Sequence, residues 1–399
     1  MATVAIVHMD LMAKGGGESV CMNVLEAIQD DHDVTLITLT DPDLEELNDY
    51  FNTDVRLPTV ERAGLLAPQL HRRCGMKYYV LQNALLSRYA RNHADEYDLL
   101  VSTINELGLP GGSIEYIHFP FDWNVSLDSE LRERIFHPTI EEDGLYEGLC
   151  TSVAGITDDT FEESRLLANS AWTADAVESA YDVRPDVVYP PVDTSEFVDR
   201  PWGEREPGFV TVGRIERSKR IHELIGIVDA VRERGYDTHL HVIGPTVDTD
   251  YYDEITRMAD RRPYVYIEGE LPRAELVDRI CTHRYGIHGK RHEHFGMAVA
   301  ELAAGGAIPF VPATGGPSVI VDDRPELQYG SPEDAAEKIT RVLSQPTLRS
   351  TLRPDPETIR RRFGRERFQE RIATAVDTAL DGTTEPFLES PASVPASTD

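Results

Sequence analysis

The sequence predicts an α/β protein built of two Rossmann-like domains that face each other across a cleft. Three observations carry this expectation: the length, an alternation of strands with helices, and the repetition of that alternation in a second series. At 399 residues the chain exceeds what one core ordinarily holds, and two domains of usual size can each bury a sheet. Short apolar runs at 4–7, 34–39, 99–103, 115–118 and 166–169 alternate with helical patterns, which is the βαβ rhythm of a parallel sheet. A second series at 209–213, 240–244, 264–268, 285–288 and 308–311 predicts the second sheet.

Between the two series, Val187-Val188-Tyr189-Pro190-Pro191-Val192-Asp193 leads into a polar stretch holding Pro201 and Pro207, and these prolines exclude a continuing helix. The expected domains are therefore 1–195 and 196–362. A last helical pattern runs from Pro356 to Leu380, so 363–382 is expected as a C-terminal helix packing back on the first domain. After Asp381-Gly382, the segment 383–399 is rich in Pro, Ser, Thr and Glu and too poor in apolar residues to fold, so a disordered tail is expected.

Composition narrows the function. No apolar run approaches the roughly 20 residues that span a bilayer, and the start Met1-Ala2-Thr3-Val4 enters a strand without a basic leader region, so a cytoplasmic protein is expected. Cys21, Cys74, Cys150 and Cys281 are scattered without CxxC spacing, which argues against a zinc site or a disulfide framework. The formal charge is −31, from 70 acidic against 39 basic residues, and only five of the basic ones are lysine. An acidic, lysine-poor surface stays hydrated where salt screens charge, so a halophilic protein in a high-salt cytoplasm is predicted. The same negative field opposes general affinity for nucleic acid.

Three segments carry candidate chemistry. Lys14-Gly15-Gly16-Gly17-Glu18 joins the first strand to a helical pattern, where glycine permits close backbone approach and a helix N-terminus offers N–H groups to a phosphate; a plain tight turn would also explain it. In Val212-Gly213-Arg214-Ile215-Glu216-Arg217-Ser218-Lys219, Arg214 stands at a strand's carboxyl end and Lys219 near the next helix start. Two cations there suit a pyrophosphate, because helix N-termini otherwise prefer acids; solvated surface charge is the alternative. In His292-Glu293-His294-Phe295-Gly296 and the helical pattern after it, Glu293 and Glu301 stand eight residues apart. Glu301 falls among Ala, Val and Leu, where a carboxylate needs a polar partner, and a ribose diol would supply one.

With these segments on view, the sequence resembles glycosyltransferase family 4, the large group of retaining enzymes with the GT-B fold, over nearly the whole chain. The resemblance rests on the paired glutamates Glu293 and Glu301, on Gly15-Gly16-Gly17-Glu18, on Asn169-Ser170-Ala171-Trp172-Thr173, on Tyr189-Pro190-Pro191-Val192-Asp193, and on Gly213-Arg214 with Lys219. Within the family, Tyr116-Ile117-His118-Phe119-Pro120, Glu293-His294-Phe295-Gly296 and Gly315-Gly316-Pro317 look most like the α-1,2-mannosyltransferase branch that extends the lipid-linked oligosaccharide of asparagine glycosylation. Ser19, where an arginine is frequent, and Lys290-Arg291 depart from the pattern.

The resemblance implies an acceptor-binding first domain and a second domain for a nucleotide sugar, GDP-mannose or a UDP-sugar, as co-substrate with no other cofactor. It implies that Arg214 and Lys219 neutralise the diphosphate, that Gly16 and Gly17 approach it, and that Glu301 holds the ribose. Glu293, His294 and the amides of Phe295 and Gly296 would grip the transferred sugar. His118, at a strand's carboxyl end, would contact sugar or acceptor near the reacting carbon; a buried histidine satisfied by backbone is the alternative. Fixed cations would take the place of a metal, so no metal ligands are expected, and Asp158-Asp159 and Asp248-Thr249-Asp250 are read as solvated charge. A soluble glucan or sugar-phosphate synthase, or a nucleotide-sugar binder without turnover, would share these motifs.

Residues 62–94 contain no Asp or Glu, yet hold Arg62, Arg72, Arg73, Lys77, Arg88 and Arg91 among leucines and tyrosines. Amphipathic helices of this kind lie on anionic interfaces, so Arg72, Arg73 and Lys77 are expected to contact a lipid-linked or glycan acceptor, or the inner face of a membrane on which the protein sits peripherally. A core helix with snorkelling arginines is the alternative.

Overall fold

The computed structural model describes residues 1–56, 59–75, 77–120, 144–157, 160–162 and 164–382. The chain divides into two compact units, Met1–Pro191 with Glu366–Asp399, and Val192–Arg365. Each is an α/β unit on a parallel sheet.

The first unit carries β1 (Thr3–Val7), β2 (Asp33–Thr38), β3 (Thr59–Arg62), β4 (Leu99–Ser102), β5 (Ile114–Ile117), β6 (Arg165–Ala168) and β7 (Asp186–Val187), ordered β3-β2-β1-β4-β5-β6-β7. Both faces of this sheet are covered, which is why its central strands read as unbroken apolar runs. One face sends Val4, Ile6, Leu36 and Val101 into a core with Leu25, while Ala5, Val7, Ile37 and Leu100 enter the opposite core with Ala84 and Leu86. Helix Arg365–Leu380 belongs to the first of these cores through Phe368, Ile372 and Val376, and Gln369 donates to Glu26 at 2.6 Å.

The second unit carries β8 (Glu206–Val212), β9 (Leu240–Ile243), β10 (Val265–Gly269), β11 (His283–Ile287), β12 (Ile308–Pro312) and β13 (Gln328–Tyr329), ordered β10-β9-β8-β11-β12-β13. Its core takes Phe209, Val242, Tyr285, Ile287 and Phe310. Where the unit begins and ends, Val192 N–H donates to the Phe363 carbonyl at 3.0 Å and Arg365 pairs with Asp193 at 2.9 Å. Val192 and Asp193 therefore close this unit at its two chain ends.

Strands β3, β7 and β13 escape the periodicity argument. The outermost strand β3 reads Thr-Val-Glu-Arg and buries almost nothing, and β7 and β13 are two residues long, so none presents an apolar run. The acid-free stretch splits in two, and over its second half the core-helix alternative holds. Helix Tyr79–Asn92 is a core helix that buries Gln82, Asn83, Ala84, Leu86, Ser87 and Ala90, whereas helix Leu66–Cys74 buries only Ala67. Arg72, Arg73 and Lys77 are exposed, next to Leu65, Leu66 and Tyr78, which are 81%, 66% and 47% exposed. Among the described residues no helix is long and apolar enough to cross a membrane. The expected tail 383–399 and the pair Asp158-Asp159 lie outside the described residues.

Candidate active site

Parallel sheets present their ligand-binding edge at the strands' carboxyl ends. In the second unit that edge is built on glycine. Gly213 after β8 and Gly244 after β9 have φ of +149° and +148°, and a Cβ on Gly244 would fall 2.0 Å from the Gly213 carbonyl oxygen. A Cβ on Gly289, after β11, would come within 2.4 Å of the Lys219 carbonyl oxygen. Only glycine lets these three strand ends and the turn Arg217–Lys219 close up.

That closure brings Lys219 onto Glu293, Nζ to Oε2 at 2.7 Å, with Lys290 Nζ at 3.2 Å from the other oxygen and His288 Nε2 at 3.4 Å. Burial alone would raise the Glu293 carboxyl, but Lys219 and Lys290 hold it well below the ordinary glutamate value. Burial lowers His288, so its imidazole is neutral beside the ammonium groups. Arg214 stands free of this knot: its side chain is 59% exposed and 3.6 Å from Glu216. Three cations against Glu293 and Glu216 leave a local positive surplus in a chain whose total is −31. Such a surplus at a strand-end edge is suited to an anion.

The loop bearing Glu293 is held by the second glycine pair. Gly316 N–H donates to the Glu293 carbonyl at 2.7 Å, and a Cβ on Gly316 would overlap the His294 carbonyl oxygen at 1.9 Å. Gly296, at φ +96°, turns the chain into helix Met297–Ala304. The Phe295 side chain is buried and packs edge-on against Phe363 at 5.6 Å, so it anchors the loop and leaves only its backbone to face outward chemistry.

Glu301 corrects one step of the sequence argument. It has a polar protein partner, since Arg273 reaches it at 2.6 Å and also pairs with Glu196 at 2.6 Å. Sequence reasoning missed Arg273, which lies on helix Arg273–Thr282, far away in the chain. The supposed Asp string is structural in part: Asp248 caps helix Thr249–Ala259 by accepting from Tyr251 N–H at 3.0 Å.

In the first unit Gly15 is the N-cap of helix Gly16–Ile28, and Glu18 is its anchor, accepting from Gly15 N–H at 2.7 Å with His8 at 3.7 Å. Gly15 and Gly16 are exposed. Gly17 faces His118, whose Nε2 would lie 3.5 Å from a Cβ placed there. His118 Nε2 donates to the Thr103 carbonyl at 3.0 Å, so the backbone bond expected of a buried histidine is present. Burial pushes this imidazole down to about 4, and the neutral ring then carries its lone pair on Nδ1. Among the described residues Nδ1 has no partner, which leaves it able to accept a hydrogen bond but not to give one. The Asn169-Ser170-Ala171-Trp172-Thr173 string proves to be scaffolding for this strand end: Asn169 donates to the His118 carbonyl at 2.9 Å, and Ser170 caps its helix by accepting from Thr173 N–H at 3.1 Å.

The fold is GT-B, two parallel-sheet α/β units of the kind seen in glycosyltransferase structures. Sucrose-phosphate synthase from Thermosynechococcus elongatus superposes with a TM-score of 0.68 at 15% identity, covering 96% of this chain and all of that one. Anabaena HepE in complex with UDP and glucose gives 0.63 at 14% identity, covering 95% of this chain and 100% of that one. Residues 193–355 match the family model Glycosyl transferases group 1, so the second unit carries a domain of that family. The human GDP-Man:Man(3)GlcNAc(2)-PP-Dol alpha-1,2-mannosyltransferase is 26% identical over 235 residues, 53% of this chain and 48% of the relative. Its Eremothecium gossypii counterpart is 27% identical over 234 residues, 51% of this chain and 38% of the relative. The chain thus spans about half or less of the length of these relatives.

Proposed function

We propose that this protein is a retaining glycosyltransferase that moves mannose from GDP-mannose to a lipid-linked glycan. The observation that carries the reading is the cationic knot of Lys219, Lys290 and Glu293 with Arg214 beside it, on the ligand edge of the family-matched unit. Departure of the nucleoside diphosphate builds negative charge on its β-phosphate while the sugar becomes oxocarbenium-like. Arg214, held only loosely, swings to the diphosphate. Lys219 is already fixed by Glu293, so it meets that charge without first having to be ordered. Glu293, kept ionised by its partners, accepts from the sugar hydroxyls, alongside His294 and the amides of Phe295 and Gly296. Glu301 takes the ribose on the lone pairs that Arg273 leaves unused, and Gly16 and Gly17 give the donor close backbone approach.

The mannosyl donor and lipid-linked acceptor are suggested by the relatives named GDP-Man:Man(3)GlcNAc(2)-PP-Dol alpha-1,2-mannosyltransferase. The exposed Leu65, Leu66 and Tyr78 beside Arg72, Arg73 and Lys77 support a peripheral seat on an anionic, cytoplasmic membrane face. The lysine-poor acidic surface supports work at high salt.

The test is transfer itself. Full-length protein in high salt is given GDP-mannose or UDP-sugars with a polyprenyl-diphosphate oligosaccharide, and the product is digested with linkage-specific α-mannosidases. Transfer of α-mannose from GDP-mannose is expected. Transfer from UDP-sugars alone would overturn the donor, a β-linked product would overturn retention, and donor binding without transfer would leave a binding protein.

A further inference from the structure

At the opposite, amino-terminal edge of the second sheet, remote from the site above, three histidines converge. His239 and His241 flank the start of β9, and their spacing of two puts both side chains on one face. His283 opens β11. Strand β8 runs between β9 and β11, so the rings must meet across it, and the residue at the meeting place is Gly208. A Cβ on Gly208 would lie 2.1 Å from His239 Nε2. The strand is hollowed out where the rings gather.

The ring-centroid separations are 5.0 Å for His239–His241, 5.1 Å for His239–His283 and 4.7 Å for His241–His283. One nitrogen of each lies within 4.8 Å of the other two. The other nitrogens fix the tautomers. His283 Nδ1 is 2.7 Å from the Arg279 carbonyl, which can only accept, so the proton sits on Nδ1 and the Nε2 lone pair points inward. His241 Nδ1 contacts the Glu268 carboxylate, which likewise places its proton on Nδ1. Glu268 is in turn held by Arg279 at 3.0 Å. A ring whose outer N–H is held by a carboxylate or a carbonyl is the arrangement in which proteins present histidine to a metal. Glu206 of β8 stands 3.6 Å from His239 Nε2 and can supply a fourth, oxygen ligand.

We propose that His239, His241 and His283, completed by Glu206, form a binding site for a single divalent transition-metal ion of the zinc class that ties β9, β8 and β11 together. Three imidazoles and a carboxylate make a donor set suited to zinc and not to magnesium or calcium. His239 Nε2 is 3.0 Å from His283 Nε2, close to the ligand separation of about 3.3 Å that tetrahedral zinc imposes. Binding costs the hydrogen bond between these two nitrogens, with the His239 proton moving from Nε2 to Nδ1, and a small inward shift of His241. The site stabilises the sheet and takes no part in transfer.

Full-length protein is stripped with chelator, exchanged against Zn²⁺ in a weakly chelating buffer, and its metal content and melting temperature are read. One zinc per chain is expected, retained against excess Mg²⁺, with a melting temperature several degrees above the stripped protein. His239→Asn, at a partly buried position, abolishes both. Glu268→Gln, which acts through His241, weakens zinc binding about 10–100-fold. If wild type retains no zinc, or if His239→Asn binds zinc as wild type does, the site does not exist; GDP binding is unaffected in either case, which separates this result from the transferase reading.

Discussion

The two ligand edges of this molecule are built on opposite principles. In the second unit the groups are charged and fastened to one another: Lys219 and Lys290 on Glu293, and Arg273 on Glu301. In the first unit His118 is neutral and fastened to the Thr103 carbonyl, Asn169 holds the His118 carbonyl and Gly15 to Gly17 offer no side chain, while the charged pair of Glu18 with His8, 3.7 Å apart, holds the glycine turn. The comparison teaches where charge is handled. A developing diphosphate needs fixed cations, while a sugar with many hydroxyls needs shape and acceptors, and a neutral histidine whose Nδ1 has no partner among the described residues suits the second task.

Replacing Lys219 should produce the largest effect. Lys219→Ala is expected to lower kcat about 10²–10³-fold and, because Glu293 loses a buried partner, to cost about 1.5–3 kcal/mol of stability in thermal unfolding. Arg214→Ala should lower kcat on a similar scale but leave the melting temperature unchanged, since Arg214 is exposed. Equal stability losses in the two variants would break the distinction between a fixed and a free cation.

Next in size is the membrane seat. Changing Arg72, Arg73 and Lys77 together to Gln should weaken sedimentation with anionic vesicles at low salt by about 1 kcal/mol per charge, roughly 100-fold in all, with turnover of a soluble acceptor unchanged. Equal sedimentation of wild type and variant would reduce the exposed leucines to ordinary surface.

A smaller effect separates the two edges by pH. The folded Glu293 value lies well below 4.5, so its pairing stabilises the second unit fully above that value and is lost as pH falls through the depressed one. Glu293→Gln should remove that acid-side dependence from the melting curve. His118, already neutral above about 4, should add no pH dependence to kcat near neutrality. In the first unit Gly17→Ala meets His118 at an ordinary 3.5 Å, so the fold should be intact while KM for the donor rises about tenfold, the size of a lost close contact. An unchanged KM would remove the glycine turn from the donor site.

How much of this was legible in the sequence follows the same division. The apolar runs of β1, β2 and β8 announce themselves because both sheet faces are buried, and Gly213, Lys219 and Glu293 fall at strand ends that this rhythm locates. Contacts made by residues far apart in the chain were not legible. Arg273 on Glu301 is one, and it removes the inference that an unpartnered carboxylate demands a ligand. The helix Tyr79–Asn92 is another, because lack of acids reads alike in a buried helix and a membrane-facing one, and only packing separates them. His239 and His241 are visible as an alternating pair, but His283 joins them only through the strand order β9-β8-β11.

The central claim is that Lys219 and Arg214 hold a nucleoside diphosphate in the second unit without help from a metal. Calorimetric titration of GDP into full-length protein in excess EDTA tests it directly, with Lys219→Ala and Arg214→Ala measured beside wild type. Each lost charge-assisted bond should weaken Kd by about 10–100-fold, with EDTA having no effect on wild type. Equal affinity in all three proteins, or binding that EDTA abolishes and Mg²⁺ restores, would contradict the account.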